Sequence, residues 1–283
     1  MSNTNARLVD HLVLPVETLE AARSRLTALG FTVAPDGHHP FGTVNACIFL
    51  ADGIYLEPLA INDHEAVDAA IANGNVFIRR DRTFRQVYSQ GLSAIVTASQ
   101  DAKADHAAFV AAGMTGGDML EFSRPMRLPD GSETVARFHL AFSAREVEPF
   151  MLFACERVNP LPADRKALET HANGVIGLTR VFFYAPKPAL YASWLQTILG
   201  VAARETTNGL AFDAANLSIE IISGETKNKA LVAEALVFTV ADLEVTAAVL
   251  AANGVAHERL AGGITVPAAP GQGVAFLFEE NTP

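Results

Sequence analysis

Cysteine is nearly absent, with two in 283 residues, Cys47 and Cys155. Each lies inside an apolar, strand-like run, so both read as buried free thiols of a reducing compartment, not as a disulfide framework. Basic residues are also scarce: 21 Lys and Arg stand against 31 Asp and Glu, a formal net charge of −10. That balance excludes nucleic acid as a natural partner, because phosphate binding needs a basic surface. It also disfavours docking on an anionic membrane. No apolar run reaches the ~18 residues of a membrane span. The opening MSNTNARLVDHLVLPV lacks the basic region, apolar core and small-residue cleavage site of a secretory signal. Long polar tracts are missing too, since half the residues are hydrophobic and the mean hydropathy is +0.22. These absences leave an acidic, cytoplasmic globular protein with length enough for two ordinary domains.

Several chemistries are excluded by missing motifs. No GxGxxG or GxxxxGK[ST] loop is present to cradle a phosphate chain, and no GxSxG turn presents a nucleophilic serine. Neither cysteine has a flanking histidine to activate it.

What is there is a repeat. Four times a short apolar strand runs into an alanine-rich amphipathic helix that stops at or near a glycine. The units are HLVLPV, ETLEAARSRLTAL and Gly30; SAIVTAS, QDAKADHAAFVAA and Gly113; TRVFFYAP, KPALYASWLQTIL and Gly200; ALVFTVA, DLEVTAAVLAAN and Gly254. In the first helix Leu19, Ala22, Leu26 and Leu29 form the apolar stripe. Each glycine suits the left-handed position where helices end. Two or three strand-like runs follow each glycine, as in TVNACIFL and IYLEPLA of the first unit. The expected fold is therefore α+β, four βαβββ modules arranged in two pairs, over 1–160 and 161–283. The segment 156–174, with two prolines and little periodicity, reads as the linker. An insertion at 61–90 contains a helical stretch, HEAVDAAIANG, and a basic run, RRDRTFRQ, expected to be a solvated face.

Asp10-His11 in the opening strand, His39-Pro40, Gly42-Thr43 and Asn45 in a turn region, and Tyr55-Leu56-Glu57 in a closing strand carry a family resemblance. With the paired modules, they make the chain resemble the glyoxalase-like family of the vicinal oxygen chelate superfamily, which includes glyoxalase I, extradiol dioxygenases and bleomycin-resistance proteins. The resemblance implies curved sheets around a cavity, with His11 and Glu57 pointing into it. It further implies that both act catalytically, as metal ligands or as an acid/base pair. Beside Gly37 and Pro40, His38 and His39 read either as an exposed turn or, with Asn45, as the cavity rim; His39, Asn45, Tyr55, Arg124 and Arg137 are the candidate substrate-binding residues.

An imidazole and a carboxylate begin a divalent-metal site for Zn, Fe, Mn or Ni, but two ligands do not hold an ion. A third is sought in the second unit. Superposing the post-helix glycines puts Ala94 at the place of His11 and Cys155 or Glu156 at the place of Glu57. Alternation sets Arg137, His139 and Ala141 on one face of their strand and Phe138, Leu140 and Phe142 on the other. The second set reads as core, so His139 and Glu156 are the candidate further ligands. Three readings stay open: a metal site, a hydrogen-bonded His11–Glu57 pair in a metal-free pocket, and unrelated satisfied groups. Arg124, Arg127 and Arg137 surround LPDGS, a hairpin signal at Asp130-Gly131, and their forked donors suit a carboxylate or phosphate.

In the third unit Arg180 takes the place of His11 and Glu220 that of Glu57, which predicts an Arg180–Glu220 ion pair and a C-terminal half without metal. The expected partner is a small molecule, with no nucleic acid or membrane involved, and the C-terminal half offers a platform for a homodimer. The expected function is binding of an oxygen-rich molecule in the N-terminal cavity, with lyase, isomerase or dioxygenase chemistry. The alternative is a non-catalytic sequestering protein of the bleomycin-resistance type.

Overall fold

The computed structural model describes residues 5–127, 133–145, 148–159 and 165–281. The first module runs β1 (Val9–Pro15), α1 (Leu19–Ala28), β2 (Gly37–His38), β3 (Thr43–Asn45), β4 (Ile48–Phe49) and β5 (Tyr55–Ile61). Two helices, α2 (His64–Ala72) and α3 (Val76–Tyr88), form the insertion. The second module is β6 (Ala94–Ser99), α4 (Ala102–Ala111), β7 (Leu120–Arg127), β8 (Glu133–Ala144) and β9 (Met151–Arg157). The third is β10 (Val175–Ala185), α5 (Ala192–Leu199), β11 (Arg204–Thr206), β12 (Gly209–Asp213) and β13 (Ser218–Ser223). The fourth is β14 (Val232–Val240), α6 (Leu243–Ala252), β15 (Glu258–Leu260), β16 (Gly263–Val266) and β17 (Ala275–Glu280).

These elements make two mixed sheets, matching the expected α+β pairing. The first has the order β2-β3-β5-β1-β6-β9-β8-β7, with β4 on β5; the second is β11-β12-β13-β10-β14-β17-β16-β15. The connection is the same in both. Each opening strand lies parallel to the last strand of its own module and antiparallel to the opening strand of the other module in its sheet.

The helices start and stop where their chemistry says. Thr18, Asp63, Asn75, Asp101 and Asp242 each accept a backbone N–H at a helix start. The four glycines of the repeat take φ values between +66° and +88°, which a side chain disfavours. Ala22, Leu26 and Leu29 of the first stripe are fully buried. They join a core shared by both sheets, in which Phe31 packs on Phe238, Phe276 and Phe278. Burial of each such side chain contributes about 1.5–3 kcal/mol. His171 ties the linker to the first module: its Nδ1 accepts from Thr32 N and its Nε2 donates to Phe49 O, each at 3.0 Å.

Strand alternation gives the first sheet two apolar faces. Leu12, Leu14, Leu56 and Ile95 enter the shared core, whereas Val13, Leu59, Ala94, Val96, Leu140, Phe142 and Phe153 line the inside of the curve. The insertion closes that inside: Val67, Val76, Phe77 and Ile78 pack onto it. The run RRDRTFRQ is a solvated face only in part: Arg79, Thr83 and Gln86 are exposed, while Arg80, Asp81, Phe84 and Arg85 turn to the protein. Arg85 donates to the carbonyls of Val16 and Leu59, both at 2.8 Å, and to the buried Asp81 carboxylate. Arg80 donates to the carbonyls of Arg145, Glu148 and Phe150. By bonding backbone carbonyls of the sheet and its connecting loops, the two guanidiniums pin α3 across the sheet. The hairpin expected at Asp130-Gly131 lies outside the described residues.

Candidate active site

Period-two alternation places the acid of the YLE strand. In the parallel β1–β5 pair His11 lies opposite Tyr55 and Val13 opposite Glu57. All four therefore share the inner face, while Leu12 and Leu56 point to the shared core. Glu57 is only 6% exposed and His11 4%, so neither faces bulk water. His11 Nε2 stands 3.5 Å from Glu57 Oε2. A second imidazole converges on the other oxygen, with His39 Nε2 at 3.7 Å from Glu57 Oε1. Asn45 donates to Oε1 at 2.5 Å. A carboxylate taken out of water in this way needs a partner, and the Asn45 amide is the hydrogen-bond donor that meets it.

Both imidazoles are oriented from behind. His39 Nδ1 is 2.9 Å from Thr43 Oγ1, and its ring stacks on Phe41 at 5.0 Å between centroids. Burial, aided by the Arg124 and His11 charges and opposed by Glu57, lowers the His39 pKa to about 4. It is therefore neutral at neutral pH. His11 stacks on Tyr55 at 4.5 Å, and its Nδ1 is 2.6 Å from Asp10 Oδ2. Burial pushes the Asp10 carboxyl up, but the hydrogen bonds and charges of His11 and Arg157 outweigh it and hold the group well below the usual carboxylate range. An ionised Asp10 makes Nδ1 the protonated nitrogen of His11 and leaves Nε2 to face Glu57. Arg157 grips both oxygens of Asp10 at 2.6 and 2.7 Å.

Asp10 and Arg157 were missed by sequence reasoning for a physical reason. Neighbours along a strand normally point to opposite faces, so Asp10 should turn its back on His11. The β1–β6 register slips between Val9 and His11. A bulge of this kind re-aims a side chain and lets both residues serve one site. The Asp-His dipeptide was the available signal, but only the bulge gives it meaning.

The remaining predicted residues divide. His39, Asn45, Tyr55 and Arg124 line a pocket of about 50 Å³ with His11 and Glu57, walled by Phe41, Phe77, Phe122, Phe138, Leu140, Phe153 and Cys155. His39, read from its Gly and Pro neighbours as rim or exposed turn, is instead an inner wall, its side chain 7% exposed. Arg137 borders a wider adjoining cavity and is itself exposed. His139 and Glu156 do not join the cluster, because the alternation of β8 runs the other way from the expectation. Phe138 and Leu140 face the pocket, and His139 turns to the helix side, 3.6 Å from Glu156. Glu156 there accepts from Ala102 N at 2.9 Å, at the start of α4. Opposite His11 across the antiparallel pair stands Val96, and Ala94 pairs with Val13, so the second module offers no donor from β6 at this place.

Two imidazoles and a carboxylate match the donor chemistry of a divalent ion. The separations of 3.5 and 3.7 Å also approach the edge of a coordination shell with bonds of ~2.1 Å, about 3.4 Å. Among the described residues, however, no three His, Cys, Asp or Glu side chains are arranged to hold an ion. The set suits a metal in kind but does not close around one as it stands.

The sequence model of the glyoxalase-like domain family matches residues 9–199, a span that includes every residue of this cluster. The chain belongs to that family. Its architecture is that of the vicinal oxygen chelate superfamily. A hypothetical protein from Staphylococcus aureus superposes with a TM-score of 0.68 at 12% identity, covering 96% of this chain and 99% of that one. A mutant 4-hydroxymandelate synthase from Streptomyces coelicolor gives 0.63 at 11% identity, over 98% and 93%. The Mn(II)-bound glyoxalase from Novosphingobium aromaticivorans gives 0.53 at 10%, over 98% and 82%. At these identities the likeness is one of fold. No curated protein is significantly similar in sequence. No helix among the described residues is long and apolar enough to cross a membrane.

Proposed function

We propose that this glyoxalase-like protein is an enzyme that moves a proton on a small, oxygen-rich carbonyl compound, with Glu57 as the base and His11 as its relay. The observation that carries this reading is the convergence of both imidazole Nε2 atoms on the two oxygens of one buried carboxylate. Glu57 takes the proton from the carbon beside the carbonyl, leaving an enolate, and becomes the carboxylic acid. The proton passes to His11 Nε2, where the Asp10 carboxylate stabilises the imidazolium, and returns to a neighbouring atom. The net change is an isomerisation, or an elimination if a leaving group departs. The aromatic wall excludes water and lengthens the reach of each charge.

A second reading is favoured by the 3.5 and 3.7 Å separations: His11, His39 and Glu57 drawn in around one divalent ion (Zn, Fe, Mn or Ni), which would supply Lewis-acid stabilisation of the enolate oxygen. The test is deuterium incorporation from D₂O into a panel of α-keto acids and 2-oxoaldehydes, followed by NMR. The first reading expects exchange by the chelator-treated wild type and its loss in Glu57→Gln. Exchange only after one of the four metals is restored supports the second. No exchange under any condition leaves the sequestering alternative and overturns both.

A further inference from the structure

The pocket around Glu57, at about 50 Å³, has room for little more than a reacting group. Beside it lies a cavity of about 400 Å³, and Tyr55, Arg124 and Phe138 belong to the walls of both. That volume lies within the range of small-molecule sites. Its charge is opposite to that of the molecule. Arg124, Arg157 and Arg165 line it, with Arg137 at the edge, against Asp10 and Glu169. Asp10 is committed to Arg157 by its paired hydrogen bonds. Glu169 is then the one carboxylate in the lining set against Arg124 and Arg165, in a chain whose net charge is −10.

The guanidiniums are also placed. Arg165 lies over the Phe49 ring at 4.3 Å and Arg124 over Phe138 at 5.7 Å. A planar cation held on a ring keeps its N–H edge directed and loses less freedom on meeting an anion. Gly37 leaves the space this needs: a Cβ there would collide with Arg124 Nη1 and with Asn45 Oδ1. Cys47 in the cavity wall sits in the same surroundings: burial and Glu57 push its thiol up, and Arg124, Arg165 and Arg157 oppose them.

We propose that the outer cavity is an anion subsite, in which Arg124 and Arg165 take the carboxylate or phosphate of a small organic substrate while its carbonyl end reaches Glu57. The inference deepens the proton-transfer reading and rests on it for the orientation of the substrate. A forked guanidinium suits both oxyanions, and a cleft lined mainly by one sign of charge focuses ions of the opposite sign into it.

Calorimetric titration with benzoate, phenyl phosphate and the neutral benzamide tests the proposal. At least one of the two anions is expected to bind the wild type at least tenfold more tightly than benzamide, and the better one identifies the group. Arg124→Gln and Arg165→Gln, at unchanged melting temperature, are each expected to weaken that anion about tenfold, and raised salt to weaken it further. Equal affinity for benzamide, no binding of either anion, or folded arginine variants within twofold of wild type overturns the subsite. The wild-type comparison stands even if a variant fails to fold. Glu57→Gln separates the two claims: anion binding that depends on the arginines, with deuterium exchange untouched by Glu57→Gln, refutes the proton reading and leaves the subsite standing.

Discussion

The two sheets share one connectivity, yet among the described residues the buried cluster of two imidazoles and a carboxylate lies in the first. In the first, β5 leads into α2 and α3, and residues 62–93 place Phe77 and its neighbours over the inner face. In the second, β13 reaches β14 through residues 224–231 alone, with no helix beyond a short 3-10 turn at Lys227–Lys229. The inner face of the first can hold a buried carboxylate with two imidazoles. The corresponding face of the second carries Arg180, which pairs with Glu279 while both side chains stay about a third exposed. That pair also corrects an expectation: Arg180 sits opposite Ser218 and reaches across to β17 of the fourth module, not to Glu220, which lies opposite Phe182. The lesson is that the shared connectivity alone does not bury a carboxylate. The inner pocket around Glu57 needs the lid, which sets Phe77 against it, whereas the outer cavity is walled by the sheet and the linker.

The sharpest break of this comparison is in turnover. Glu57→Gln is expected to lower the exchange rate by between about a hundredfold and about ten-thousandfold, the usual worth of a positioned base. Glu279→Gln in the other sheet is expected to leave it unchanged. The lid comes next. Phe77→Ala opens a void beneath α3 and is expected to cost about 3–5 kcal/mol in urea unfolding. Phe182→Ala, on the uncovered face of β10, is expected to cost about 1 kcal/mol or less.

A pH window follows from the buried imidazole. His39 has a pKa lowered to about 4 against an ordinary 6.5. Between those values the unfolded chain binds a proton that the folded protein refuses, so stability falls as pH drops through the window and is unaffected above it. Unfolding at pH 4.5 is expected to show a loss of about 2–3 kcal/mol from this group, removed in His39→Gln. His171, also lowered by burial, acts in the same direction, and His171→Gln separates its share. The second sheet has no counterpart, for β10, β13, β14 and β17 contain no histidine. The smallest effect is Arg180→Gln, expected to change stability by less than about 1 kcal/mol because exposed pairs contribute little.

Much of the fold was legible because the repeat repeats its physics: strand, capped helix and positive-φ glycine each leave a local mark. Half of the site was legible too. The family resemblance implied that His11 and Glu57 share one cavity, and the parallel register with period-two alternation puts them and Tyr55 on one face. The rest depends on events that sequence spacing does not record. Asp10 reaches His11 only through a slipped register, and Arg157 comes from a strand 147 residues away. His139 and Glu156 were misjudged because the inside of a curved sheet is as aromatic as a core, so Phe138 and Leu140 looked like packing when they line the pocket. The α3 arginines misled in the opposite sense, since a charge run serves equally as a solvated face or as a set of straps to buried carbonyls.

The account rests most heavily on the coupling of His39 to Glu57 in a closed pocket, and a long-range proton–nitrogen NMR titration of the imidazoles measures it directly. The predicted result is a His39 ring that stays neutral until about pH 4 in the wild type and titrates lower still in Glu57→Gln, because the carboxylate favours the imidazolium. Titration of His39 near 6.5 in both proteins, as for an imidazole in water, would contradict it.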